Sequence, residues 1–478
     1  MKLRDISVNN NIFRYDAEYF RKEPLALLKK IRSYKYFYID EEFDVSKLAG
    51  FEYTKYFTPL NMSSDDGYVA LTSKNIQNER LYLDSFITID KKVSNANLLR
   101  SKLFKYDVVL SYTGEYRRAL TLLNNGYQLG PNICRLRPRR DVELAFYVST
   151  FFNSAIGQQI LDREKTLSAQ PTVAMSRIRR IPVPERSKKF MKHLKLLIEK
   201  ANSTMEDASS NYNKSELLFL KELGLIDYKQ NNYAYNIKSL SSSFGSTGRL
   251  DAEYYQKKYE NLIKALKGVV HDELGNIVEI KKSIEPGSDF YSDDEGALPF
   301  MRVADFNRLG LINPSKRLST NFVVENEELI YELMPKAGTI LFSKDGSVGT
   351  AYLLREDFNG ITSSAILHLT VKDSEKVLPE YLALALNSKV IKMQAERDAG
   401  GSIILHWRVN EIKNVVVPII DYEKQKEIAR LVEESFNLKQ QSEQLLEVAK
   451  RAVEIAIEED EEKALEYINT NNIYTDAN

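Results

Sequence analysis

The sequence predicts an α+β protein built from two copies of one domain, separated by two long helices that form an antiparallel coiled coil with a pseudo-twofold relation. Three observations predict it. Short motifs recur at a nearly constant offset, each recurrence encloses the same order of β-type runs and amphipathic helix, and a long helical stretch follows each copy. At 478 residues the chain is also too long for one core.

The repeat is read first, since it decides the architecture. Arg14-Tyr-Asp-Ala-Glu-Tyr-Phe20 returns as Arg249-Leu-Asp-Ala-Glu-Tyr-Tyr255, 235 positions later. Phe152-Asn-Ser154 returns as Leu386-Asn-Ser388, and Ile181 to Pro184 as Val415 to Pro418, both at an offset of 234. Asp107 to Leu110 has a looser counterpart in Gly338 to Leu341. A period this long excludes a solenoid and means two domain-sized units.

Each copy opens with a helix, Asp16 to Ile31 or Asp251 to Leu266. Acidic residues lie in its first turn and Lys29/Lys30 or Lys264/Lys267 near its end, which suits the helix dipole. A mixed region follows, with β-type runs such as Phe86 to Ile89, Asp107 to Ser111, Thr339 to Phe342 and Ala365 to Leu369. Within it an amphipathic helix is expected over Val142 to Leu161 or Pro379 to Arg397. A Pro-terminated strand closes the copy.

The long helices carry the coiled-coil signal. In the second, Ile428, Leu431, Ser435, Leu438, Ser442, Leu445, Ala449, Ala452 and Ala456 are spaced by alternating threes and fours. In the first, Leu194, Ile198, Ala201, Met205, Ala208, Tyr212, Ser215 and Phe219 do the same. Neither helix buries such a stripe alone, so each is expected to pair with the other. The expected segments are an N-terminal helical segment over 1–35, a first domain over 36–184 and a first long helix over 185–230. A linker over 231–248 leads to the repeated helix over 249–267, a second domain over 268–418, a second long helix over 419–466 and a tail over 467–478.

Composition narrows the function classes. The chain has 67 basic and 67 acidic residues, so any affinity for nucleic acid must come from a local patch. One lies between residues 100 and 140: Arg100, Lys102, Lys105, Arg117, Arg118, Arg135, Arg137, Arg139 and Arg140, opposed in that stretch only by Asp107 and Glu115. Four scattered histidines have no metal-ligand spacing. The single cysteine, Cys134, fits a buried thiol and a reducing compartment. No signal pattern or membrane-length apolar run is present, which points to the cytoplasm and away from a membrane. There is no phosphate-binding Gly-x-x-x-x-Gly-Lys-Ser/Thr loop, no Asn/Asp-Pro-Pro-aromatic segment, and hence no expected catalytic residue.

The layout and the Arg-x-Asp-Ala-Glu-Tyr signature resemble the specificity subunits of Type I restriction-modification systems. Leu274 to Ile280, Gly338 to Leu341 followed by Gly346-Ser-Val-Gly349, and Val415 to Pro418 are further family-like stretches. The first copy departs from the pattern at Tyr112-Thr-Gly-Glu-Tyr116 and at Pro24. The resemblance implies two target-recognition domains that each read half of a split double-stranded DNA site. It also implies long helices acting as a ruler and as the docking site for two methyltransferase subunits, with restriction/translocase subunits completing the enzyme. The partners would use S-adenosylmethionine, ATP and Mg, and this chain no cofactor of its own. A self-contained DNA-modifying or DNA-cleaving enzyme, and a coiled-coil scaffold without base specificity, are the alternatives.

Arginine pairs with guanine, asparagine with adenine, and lysine mostly neutralises phosphate. The candidate DNA contacts are therefore Lys74, Asn75, Arg117, Arg118, Arg139 and Arg140 in the first domain. In the second they are Arg302, Asn307, Arg308 and Lys344.

Overall fold

The motifs written twice in the sequence become the same fastenings twice in the fold. The computed structural model describes residues 14, 16–62, 66–77, 79–83, 85–114, 118–166, 169–226, 228, 235–401 and 404–471. Arg14 pairs with Asp16 at 2.5 Å and donates to the Lys165 carbonyl at 2.8 Å, at the end of helix Ala155–Glu164. Arg249 pairs with Asp251 at 2.7 Å and donates to the Asp398 carbonyl at 2.8 Å, at the end of helix Lys389–Asp398. A guanidinium there satisfies carbonyls that the helix leaves open and opposes its negative pole. The signature thus straps the start of each copy to a helix about 150 residues away.

The Asn-Ser pair is the second fastening. The Asn153 side chain accepts from the Ala119 amide at 3.0 Å and donates to the Ala119 carbonyl at 2.9 Å. Asn387 holds Ala351 in the same way, at 3.1 and 2.7 Å. An asparagine amide carries both a donor and an acceptor, so it replaces the strand neighbour that an edge residue lacks. The closing strand is the third fastening: Tyr147 donates to the Pro184 carbonyl at 2.8 Å and Tyr381 to the Pro418 carbonyl at 2.7 Å.

The chain divides into two compact units, one of Met1–Met205 with Gln440–Asn478 and one of Glu206–Lys439. The division differs in kind from the segments read in the sequence, because each unit takes one part of both long helices. In the first unit a four-stranded antiparallel sheet has the order Phe43–Lys47, Ile133–Pro138, Val108–Ser111, Ala119–Thr121. A second sheet runs Ile87–Asp90, Gly67–Leu71, Tyr127–Leu129, Lys102–Leu103, with its central pair parallel. Strand Tyr36–Tyr38 pairs with Pro182–Pro184. In the second unit the first sheet recurs as Val278–Lys282, Ile366–Val371, Ile340–Ser343, Ala351–Leu353. Its second sheet runs Tyr291–Ser292, Lys316–Leu318, Leu298–Met301, Ile361–Thr362, again with one parallel pair, and His271–Glu273 pairs with Val416–Pro418.

The long helices are Lys188–Glu222 and Tyr422–Glu458. In the first unit their segments run antiparallel, since Ser442 donates to the Ala201 carbonyl and Arg186 to the Ala456 carbonyl at 2.9 Å. In the second unit Ser435 donates to the Ala208 carbonyl at 2.6 Å while Glu222 faces Lys424, which is again antiparallel. Small seam residues allow backbone and hydroxyl to meet. Most seam positions are buried; Met205, Leu431 and Leu438 are half-buried.

Some element bounds differ from expectation. The first helix is a 3₁₀ turn, Glu18–Phe20, and then an α-helix, Lys22–Ile31, which places Pro24 in the first turn, where its missing amide costs nothing. The helix expected over Val142 to Leu161 is two, Glu143–Asn153 and Ala155–Glu164, and that over Pro379 to Arg397 is Pro379–Asn387 and Lys389–Asp398. Ser154 and Ser388 stand extended at the breaks, and Ser154 caps the next helix by accepting from Gly157. Helix Glu461–Asn471 takes the first five residues of the expected tail, because Ala464 and Ile468 pack into the first unit's core.

Candidate nucleic-acid interface

A turn and a hairpin follow the parallel strand in each domain and carry half of the expected contacts. In the first domain strand Gly67–Leu71 leads into the turn Ser73–Asn75 and then the pair Ile76–Gln77 and Arg80–Leu81. In the second, Leu298–Met301 leads into Val303–Asp305 and the pair Phe306–Asn307 and Gly310–Leu311. Lys74 stands exposed on the first turn. Asn75 does not fit the expected adenine contact. It is 1% exposed, its oxygen accepts from the Thr72 amide at 2.9 Å, and its amide donates to the Tyr82 and Ser85 carbonyls, each at 2.9 Å. Both of its donors hold the turn, so none remains for a base.

Arg302 precedes the second turn, at the position that Thr72 holds in the first, and Asp305 stands where Asn75 does. The Arg302 side chain is 39% exposed, donates to Ser315 at 3.0 Å and lies 3.6 Å from Asp305. Asn307 is exposed, but its side-chain oxygen closes the hairpin by accepting from the Leu309 amide at 2.8 Å. Arg308 is engaged within the protein. It pairs with Glu216 on the first long helix at 2.9 Å and lies 5.2 Å from the centre of the Tyr212 ring. Its charge is met by Glu216, and the pair ties the hairpin to that helix.

The basic patch is also partly consumed inside the protein. Arg135 is buried against Asp44 at 2.5 Å, and Arg137 holds Asp107 through two hydrogen bonds of 2.7 and 2.8 Å. Asp44 comes from the neighbouring strand, outside the stretch in which the charges were counted. Arg139 and Arg140, just past that strand, are exposed. Arg118 is half-buried and donates to the Ile76 carbonyl at 3.2 Å, beside the turn that carries Lys74. Arg117 lies outside the described residues.

Lys344 sits where strand Ile340–Ser343 gives way to the Gly-Ser-Val-Gly turn. Its side chain, 14% exposed, pairs with Asp345, whose other oxygen holds His406 at 2.9 Å. The Trp407 amide donates to the Lys344 carbonyl and the Gly346 amide to the Leu405 carbonyl, zipping the turn to the later loop. The first copy does the same with Thr113 and Thr172. His406 is 63% exposed on this zipped loop, and its place beside Lys344 was not expected from the sequence. The only signal for it was the turn motif; its partner Asp345 lies 61 residues away.

Cys134 and His368 are buried. Burial pushes the Cys134 thiol up to about 12, which fits the inert thiol expected. His368 is buried with Thr362 at 2.9 Å, and burial lowers its pKa to about 4. Among the described residues no helix is long and apolar enough to cross a membrane.

Comparison with known proteins finds a family match on the second copy. Residues 267–448 match the family model described as the Type I restriction modification DNA specificity domain. No curated protein matches the sequence. Among solved structures, the chain is similar to the Type-I restriction-modification system S subunit from M. genitalium, at 14% identity over 91% of this chain and 96% of that one, with a TM-score of 0.35. It is also similar to the HsdS subunit from Thermoanaerobacter tengcongensis, at 13% identity over 92% and 96%, with a TM-score of 0.27. The family match thus falls on the second copy and the helix that follows it.

Proposed function

We propose that the whole chain is the DNA specificity subunit of a Type I restriction-modification enzyme and that each copy reads one half of a split double-stranded target. One observation carries this reading. The residues that match the specificity domain lie in one of two copies that share the strand order of their first sheet and the same three fastenings. What holds for residues 268–418 therefore extends to residues 36–184. The exposed groups on corresponding turns, Lys74 and Arg302, with Arg139, Arg140 and His406, supply the donors that phosphates and base edges accept.

In this reading the long helices dock two methyltransferase subunits, and restriction/translocase subunits join that core in the cytoplasm. The partners supply the chemistry, with S-adenosylmethionine as methyl donor and with ATP and Mg for translocation and cleavage. This chain supplies only the address. Replacing residues 268–418 with the corresponding domain of a relative should change one half of the methylated sequence and leave the other intact. Methylation mapping of DNA from cells carrying the hybrid reads this directly. A change in both halves would rule out independent reading.

A further inference from the structure

Each of the two hairpins is attached to the long helix that follows the other copy. In the first unit Arg80 donates to Ser442 at 2.6 Å and Glu79 lies 3.4 Å from Lys450, both partners on helix Tyr422–Glu458. In the second unit Arg308 pairs with Glu216 at 2.9 Å and lies over the Tyr212 ring, both on helix Lys188–Glu222. The three fastenings keep one residue type in both copies, but these attachments do not. Gln77 stands opposite Arg80 and Asn307 opposite Gly310, so Gly310 is the counterpart of Arg80 and Leu309 that of Glu79. The place of attachment is kept while its chemistry changes with the copy.

Each hairpin leads back to the cation at its turn through one buried side chain. In the second copy the Ile312 amide closes the hairpin on the Asp305 carbonyl at 2.8 Å, and the Asp305 carboxylate accepts from the Arg302 amide at 2.8 Å. Asp305 is 5% exposed, so it moves only with the hairpin. In the first copy the Tyr82 amide closes on the Asn75 carbonyl at 2.9 Å, and Gln77 donates to the Lys74 carbonyl at 2.9 Å. A side chain that reads a base edge must be held to within about 0.5 Å. A turn on the surface reaches that precision only when a rigid element positions it, and here the element is a long helix.

We propose that Arg308 and Glu79 are positioning residues for DNA reading: through its hairpin each aims the cation at its own turn, Arg302 or Lys74, from the helix that follows the other copy. The proposal rests on the specificity-subunit reading. Its test maps methylated sequences in cells that carry the full-length chain with its methyltransferase partner. The parent should methylate a split site. Arg308→Met keeps the packing on Tyr212 and loses the pair. It should lower methylation of the parent sequence at least tenfold while melting close to the parent. Arg308→Glu should do the same, and Arg308→Glu combined with Glu216→Arg should restore the parent sequence, since the pair is rebuilt in reverse. A base contact made by Arg308 itself could not be restored in this way. Parent-level methylation by Arg308→Met overturns the proposal, as does a reversed pair that melts like the parent and still fails to methylate. A parent that methylates no split site would instead overturn the specificity reading on which the proposal rests.

Discussion

Arg80 donates to the Ser442 hydroxyl at 2.6 Å, and that hydroxyl in turn donates to the Ala201 carbonyl. One hairpin arginine thus ends on a seam serine of the second long helix, which itself ends on the first. The guanidinium is 4% exposed, and its nearest carboxylate, Glu443, is 3.6 Å away. Its Nε and Nη1 atoms have no hydrogen-bond partner among the described residues. Such a charge is held by packing as much as by pairing. Arg80→Ala should therefore cost about 2–3 kcal/mol, and Arg80→Met less than about 1 kcal/mol. Urea unfolding of both variants distinguishes these; equal losses would mean that the hydrogen bond dominates.

The exposed and the anchored arginines should separate in DNA binding. Arg139→Ala with Arg140→Ala is expected to weaken binding and to flatten its salt dependence by about two charges. Arg308→Ala should leave the salt slope unchanged and lower stability by about 1 kcal/mol, the value of a half-exposed pair to Glu216. Binding isotherms at several salt concentrations check both. A shallower slope for Arg308→Ala would return that residue to the DNA interface.

Asn387→Ala should be among the costlier single changes, because it strips two partners from the buried Ala351 peptide groups at once. Each unpaired buried group costs about 1–3 kcal/mol, so a loss of about 2–4 kcal/mol is expected by denaturant unfolding. Asn387→Asp should also destabilise, since an ionised carboxylate cannot donate to the Ala351 carbonyl. A neutral result for either would show that the edge strand does not depend on this clamp.

His368 predicts a pH dependence with a definite sign. Its folded pKa is lowered to about 4 from an ordinary 6.5, so the unfolded chain takes up the proton first as pH falls. The stability that goes with the neutral ring is whole above about pH 6.5 and is lost progressively toward pH 4, by at most about 3 kcal/mol. His368→Gln should flatten the stability profile between pH 6.5 and 5, above the range where most carboxylates titrate. A profile as steep as the parent's would assign the effect to other groups.

The duplication was legible in the sequence because its fastenings join one fixed residue type to backbone. Arg14 and Asn153 need only a carbonyl or a strand edge, so they stand out as motifs whatever surrounds them, whereas Tyr147, which ties down the closing strand, had no motif of its own. The helix breaks at Ser154 and Ser388 were not legible, since the apolar spacing continues through them. The site was less legible still. Whether an arginine faces outward depends on partners far along the chain: Glu216 for Arg308, 92 residues away, and Asp44 for Arg135, 91 residues away. A count of charges along one stretch cannot see either.

The fastenings also bear on heredity. Arg249 to Asp398, Asn387 to Ala351 and Tyr381 to Pro418 all begin and end within residues 249–418, and the first copy's fastenings likewise stay within residues 14–184. A stretch of gene exchanged between relatives at those borders would carry its own complete set of ties. Crossovers inside a copy would separate Arg249 from its carbonyl or Asn387 from its strand. Offspring sequences should therefore show their joins between copies, in the long helices, where the seam asks only for residues of the right size at the right spacing.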